Sequence, residues 1–98
     1  MKIIWSPLAI DRVTEISEYI ARDNPSAAAK WVETIFDKVQ ILESSPESCR
    51  IVPEIQREDI RELINGNFRI IYRVEKEKIS ILTVRHGRQI LSVDEIQA

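Results

Sequence analysis

Residues 60–86 read IRELINGNFRIIYRVEKEKISILTVRH, and the period of this stretch decides the fold. Residues 60–64 form a candidate strand. Asn65-Gly66 is the strongest hairpin signal in the chain, because both residue types tolerate the positive φ that a two-residue turn requires. Beyond it, Phe68, Ile70, Tyr72 and Val74 alternate with Arg69, Ile71 and Arg73, which is the period of two of a strand. Glu75-Lys76-Glu77 marks the next reversal. Ile79, Ile81 and Thr83 then alternate with Ser80, Leu82 and Val84. The stretch is therefore predicted to be a three-stranded antiparallel meander over about 60–86, with its first strand at the edge. Both faces carry apolar side chains, so each face needs a cover.

The residues before it follow a different period. Ser6-Pro7 reads as a helix cap with proline at the first helical position. Ala9, Val13, Ile16 and Ile20 then recur at helical spacing, predicting a helix over about 7–22. Asn24-Pro25 repeats the cap, and Ala28, Trp31 or Val32, Ile35, Val39 and Leu42 form a second stripe over about 25–44. The short link makes the two helices antiparallel neighbours, and Ala27, Ala28 and Ala29 allow a close approach near the bend. Residues 45–59 have no clean period and contain two prolines, so they read as a connection that Ile51 and Val52 pin to the core. The tail from Ile90 to Ile96 is a candidate short helix. The fold class is α+β: an N-terminal helical hairpin (about 7–44) packed on a small antiparallel β-sheet (about 60–86), with a tail at 89–98, in one domain spanning 1–98.

Composition sets limits on function. The 98 residues include 44% hydrophobic and 31% charged types, with two glycines, four prolines and one cysteine. That excludes disordered and collagen-like classes, and a lone Cys49 excludes a disulfide framework. A chain this small buries only about 60–65% of its unfolded surface, which leaves little material for an enclosed chamber. No stretch approaches the roughly 20 apolar residues of a membrane span, and the start does not read as a signal peptide. A cytoplasmic location is expected. No metal constellation or phosphate loop is written in the chain, so no metal and no cofactor are expected.

The net charge of −2 hides an asymmetry. Residues 1–56 carry six basic and nine acidic side chains, whereas residues 57–88 carry eight basic and five acidic ones. Arg61, Arg69, Arg73, Arg85 and Arg88 dominate the basic half. Arg69 and Arg73 share a strand face, Arg61 and Arg85 fall on candidate neighbouring strands, and Arg88 follows Gly87. As a guanidinium patch they suit phosphates or the carboxylates of an acidic protein. As a solvated face they pair locally, Arg61 with Glu62 or Glu75. The residues alone leave both readings open. His86 is a general-base candidate or an edge or core residue. Trp5 is a candidate interface anchor that also suits packing over the helix pair. Trp31 and Tyr72 belong to the core, and Cys49 reads as inert.

Order and spacing carry a resemblance. Ser6-Pro7-Leu8-Ala9, residues 19–25 (YIARDNP), Val52-Pro53-Glu54, Ile60-Arg61-Glu62-Leu63, residues 66–74 (GNFRIIYRV) and residues 81–88 (ILTVRHGR) stand in the sequence that marks the ParE/RelE superfamily. The chain resembles toxins of type II toxin–antitoxin systems, closest to the ParE-like, or plasmid stabilisation, branch. The resemblance implies an N-terminal strand pairing beside the last strand of the meander. It also implies a cognate antitoxin whose partly disordered C-terminal segment folds on the toxin. ParE-like members imply inhibition of DNA gyrase by binding and trapping its DNA complex, with no catalytic residues. RelE-like members imply ribosome-dependent cleavage of mRNA, for which Arg61, Arg69, Arg85, His86 and Arg88 are the candidates. Arg61, Arg69, Arg73, Arg85, Arg88 and Trp5 are the candidate target- or antitoxin-binding residues. The RelE-like tail tyrosine falls at Asp94 or Glu95, and residues 45–60 lack the lysine pair of such enzymes. The resemblance therefore favours a non-catalytic gyrase inhibitor over an mRNA endoribonuclease; a weakly toxic antitoxin-binding homologue is a further alternative.

Overall fold

The computed structural model describes residues 1–87, 91 and 93–97, with the backbone alone at 93 and 97. In chain order the elements are β1 (Lys2–Trp5), α1 (Pro7–Ala21), α2 (Pro25–Gln40), a 3₁₀ turn (Ile41–Glu43), β2 (Arg50–Ile51), β3 (Ile60–Asn65), β4 (Phe68–Val74), β5 (Lys78–His86) and α3 (Val93–Gln97). Both long helices start as their caps dictate. The Ser6 hydroxyl accepts from the Ala9 N–H at 3.0 Å, and the Asn24 amide oxygen accepts from the Ala27 N–H at 3.1 Å. The second helix is shorter than its expected 25–44. Its last turn tightens, with the Ser44 N–H bonded to the Ile41 carbonyl at 3.3 Å, because Ser45 precedes Pro46 and is pushed out of the helical region.

Among the described residues the sheet has five strands, in the order β1-β5-β4-β3-β2. β1 runs parallel to β5, and the other neighbours are antiparallel. The connection expected to be irregular thus supplies an edge strand: Arg50 and Ile51 pair with Glu62 and Arg61, which moves β3 off the edge. A two-residue strand is too short to show alternation in a sequence. Val52 is fully buried, whereas Ile51 stays at the surface.

The hairpin between β3 and β4 is displaced by one residue from its expected place. Asn65 pairs with Phe68, so the turn residues are Gly66 and Asn67. Gly66 has φ +59° and Asn67 does not share the positive φ, which is the pattern of a II′ turn with glycine first. Nothing lies within 4 Å of a Cβ placed on Gly66, so Gly66→Ala meets backbone strain alone. That variant is expected to lose about 1–2 kcal/mol in urea unfolding.

Between Ile71 and Tyr72 of β4 the partner strand carries one extra residue. Ile71 opposes Thr83 and Tyr72 opposes Ile81, leaving Leu82 as a β-bulge. The bulge overturns the expected alternation of β5. Ile79, Ile81 and Val84 share the helix-facing core with Leu63, Ile70, Tyr72, Ile35, Val39 and Leu42. Leu82 instead joins Val52, Ile60, Ile71, Leu91 and Ile96 on the opposite face. Both faces are covered, one by the helical hairpin and the other by the tail and the segment at Val52. Trp31 meets Phe68 edge-on at 5.3 Å within the helix-side packing.

Candidate functional site

Cross-strand pairing sorts the arginines. Ile64, Arg69 and Arg85 lie in one row, and Ile60, Arg73 and Ser80 in another, all on the face away from the helical hairpin. The bulge puts Arg85 there, since strict alternation from Ile81 would send residue 85 toward the helices. Arg61 is not with them. It opposes Tyr72 and so belongs to the helix side of the sheet. Arg88 lies outside the described residues.

The guanidinia of Arg61, Arg69 and Arg73 are each engaged. Arg61 donates to the carbonyls of Glu58 at 3.0 Å, Cys49 at 2.9 Å and Glu47 at 3.3 Å, fastening the connection onto β3. Arg73 donates to the Ile96 carbonyl at 2.7 Å and so holds the end of α3. Arg69 is only 5% exposed and sits between two carboxylates. Its Nε donates to Glu62 at 2.7 Å, and Nη1 and Nη2 form a fork on Glu54 at 2.8 Å each. Glu62 also accepts from Arg50, giving an alternating chain Arg50–Glu62–Arg69–Glu54. The fork on Arg69 holds the Glu54 carboxyl down to about 2, and the two carboxylates raise the Arg69 pKa in return. The expected local partners of Arg61, Glu62 and Glu75, are otherwise occupied: Glu62 as above, and Glu75 by the Ser80 hydroxyl.

A second charged cluster lies where α1, β5 and α3 meet. The buried Glu95 accepts from the Thr83 hydroxyl at 3.1 Å and lies 3.6 Å from Arg12 and 3.5 Å from Arg85. Beside it, α1 and the end of β5 enclose an open groove of about 500 Å³ whose lining includes Arg12, Arg85, His86, Phe68 and Tyr19. His86 emerges on the helix side and stacks edge-on against Phe68 at 5.7 Å. Trp5 packs against Phe36 at 4.6 Å as part of the helix-side core. Tyr72 is fully buried, and its hydroxyl donates to the Pro46 carbonyl at 2.9 Å. Burial, with Cys49 beside it, pushes the phenol well above its usual range.

Sequence reasoning missed the acidic halves of these clusters and Arg12. One signal existed for Glu62: it shares its strand face with Ile60, and a carboxylate on an apolar face needs a cation. Glu54 and Arg69 are fifteen residues apart, and no local pattern links them. Arg12 and Glu95 stand at opposite ends of the chain, and no local pattern links them either.

Comparison with known proteins fits this architecture. The family model described as "ParE toxin of type II toxin-antitoxin system, parDE" matches residues 3–91. A Sinorhizobium fredii (strain NBRC 101917 / NGR234) protein named "Putative toxin Y4kP" is 36% identical over 90 residues, which is 90% of each chain. Among solved structures, "Chromosomal ParDE TA system from P. aeruginosa" superposes with a TM-score of 0.73 at 24% identity, covering 88% of this chain and 95% of that one. "YoeB/ParE toxin from Agrobacterium tumefaciens" gives a TM-score of 0.61 at 19% identity, covering 88% and 98%. These two establish the likeness of fold, and the family match extends it to lineage: the chain belongs to the ParE toxin family of type II toxin–antitoxin systems.

Proposed function

We propose that this chain inhibits DNA gyrase by binding the enzyme and trapping its DNA complex, and that a cognate antitoxin neutralises it with a segment that folds on the toxin. The observation that carries this reading is the state of Arg69. A ribonuclease of the RelE type would need that central guanidinium for the scissile phosphate. Here Glu54 and Glu62 occupy its fork, so a phosphodiester would have to displace two carboxylates. Residues 94 and 95 add acids where such enzymes carry a tyrosine, with Glu95 buried against Thr83. A protein that acts by contact needs no free catalytic set, and the gyrase reading places it in the cytoplasm. Among the described residues, no helix is long and apolar enough to cross a membrane.

The test is a gyrase supercoiling assay with the purified chain. Inhibition accompanied by accumulation of cleaved DNA complexes is expected, with relief on adding the antitoxin. Absence of both effects would sink the reading. The groove that brings Arg85 and His86 together favours one alternative, mRNA cleavage on the ribosome, with Arg85 neutralising phosphate and His86 moving a proton. Codon-positioned cuts in mRNA on translating ribosomes would establish it. Expression without growth arrest would instead indicate an antitoxin-binding homologue of lost toxicity.

A further inference from the structure

Glu95 is shared by more donors than its geometry satisfies. A single oxygen, Oε1, faces the Thr83 hydroxyl, Arg12 and Arg85. Only the hydroxyl is at hydrogen-bond distance; the guanidinium nitrogens stand off at 3.6 and 3.5 Å. Nη1 of Arg12 turns to Glu15 at 3.1 Å. Nε of Arg12 and Nε of Arg85 are both buried and lack a hydrogen-bond partner among the described residues. An unspent buried N–H is costly, and two of them on cations flanking one carboxylate mark a site built for an anion with more acceptors. A tetrahedral phosphate has them: its oxygens spread over several directions, and it carries more charge than a carboxylate. The open groove between α1 and β5 leads to both arginines, with His86 on its wall.

We infer that Arg12 and Arg85 form a phosphate-binding site at the end of this groove, and that Glu95 is its internal stand-in. Phosphate enters by displacing the Glu95 carboxylate. The tether on Thr83 sets how readily that happens, and α3, which Arg73 holds by the Ile96 carbonyl, moves with it. The site is separate from the Arg69 cluster, whose fork is already filled.

The experiment is a calorimetric or NMR titration of the full chain with inorganic phosphate, at constant pH and low salt. Glu95→Gln removes the competing charge at nearly constant shape and is expected to bind phosphate at least about tenfold tighter than the parent chain. Thr83→Val keeps every charge, frees the carboxylate from its tether and is expected to shift affinity in the same direction; it decides the matter if Glu95→Gln fails to fold. Adding Arg12→Gln or Arg85→Gln to either variant is expected to cancel the gain. A short DNA duplex supplies the second arm. Binding of duplex through the same two arginines, in competition with phosphate, assigns the site to backbone phosphates; binding of inorganic phosphate alone assigns it to a small phosphate ligand. Unchanged phosphate affinity in both Glu95→Gln and Thr83→Val, or binding that survives loss of both arginines, overturns the inference. Tightening toward a glutamate-bearing peptide but not toward phosphate overturns it as well.

Discussion

Arg69→Met is expected to destabilise the fold by about 3–5 kcal/mol, the range seen when one partner of a buried ion pair is removed. The reason is what the variant leaves behind. The Glu62 side chain is fully buried, and without Arg69 its remaining cationic partner among the described residues is Arg50, whose side chain is 62% exposed. The second partner, Glu54, is partly exposed and turns to water at little cost. The loss should therefore track Glu62 and shrink when that charge goes too. Arg69→Met combined with Glu62→Leu is expected to recover most of the stability, since apolar residues of similar volume replace buried pairs at nearly no net cost. Urea unfolding of the two single variants and the double variant, analysed as a thermodynamic cycle, gives the coupling directly. A loss below about 1 kcal/mol for Arg69→Met would reduce the pair to the standing of a surface salt bridge.

The other contact of Arg69, with Glu54, sets an acid limit. Glu54 has its pKa lowered in the folded state, from 4.5 to about 2, by the Arg69 fork. A group depressed on folding adds stability that is fully present above its unfolded pKa and disappears as pH falls through its folded one. The contribution is therefore intact at neutral pH and drains away from about pH 5 down to about pH 2. Glu54→Gln should flatten that part of the stability profile. Partial exposure of Glu54 keeps the effect smaller than for the buried Glu62 contact.

How much of this was readable in the chain depends on the range of each interaction. Ser6-Pro7 and Asn24-Pro25 are local signals, and both helices begin where they stand. The alternation through β4 is equally local, and it correctly set Arg69 and Arg73 on one face. The II′ turn was off by one residue because Asn65, Gly66 and Asn67 supply two overlapping turn dipeptides, and only cross-strand register chooses between them. Partner choice was illegible where it is long-range. Nothing in the neighbourhood of Arg69 announces that residues 54 and 62 fill its fork, or that α3 brings Glu95 to Arg12. Candidate arginines were thus found by type, but what their charges do had to come from the fold. The most consequential gap is the bulge in β5, hidden because Ile81 and Leu82 are adjacent apolar residues and either can continue the pattern.

That bulge sets up a contrast between two single-residue deletions. Removing Leu82 takes out the residue that has no partner in the ladder. Ile81 still opposes Tyr72, Thr83 still opposes Ile71, and Val84 and Arg85 keep their present faces. The deletion is expected to fold with a native-like circular dichroism spectrum. It should lose about 2–5 kcal/mol, the usual worth of a buried leucine side chain, because Leu82 packs with Val52, Ile60, Ile71, Leu91 and Ile96. Removing Ile71 has no such escape. β4 is paired on both sides, and a missing residue turns everything beyond it to the opposite face. Tyr72 would leave the helix-side core and its Pro46 partner, while Arg73 would swing into the space of the fully buried ring. A buried arginine without a carboxylate and an emptied aromatic site together exceed about 5 kcal/mol, comparable with the whole stability of a chain this size. The Ile71 deletion is expected to be unfolded in water. Equal losses for the two deletions would mean that the faces of β5 are not set by the extra residue at Leu82.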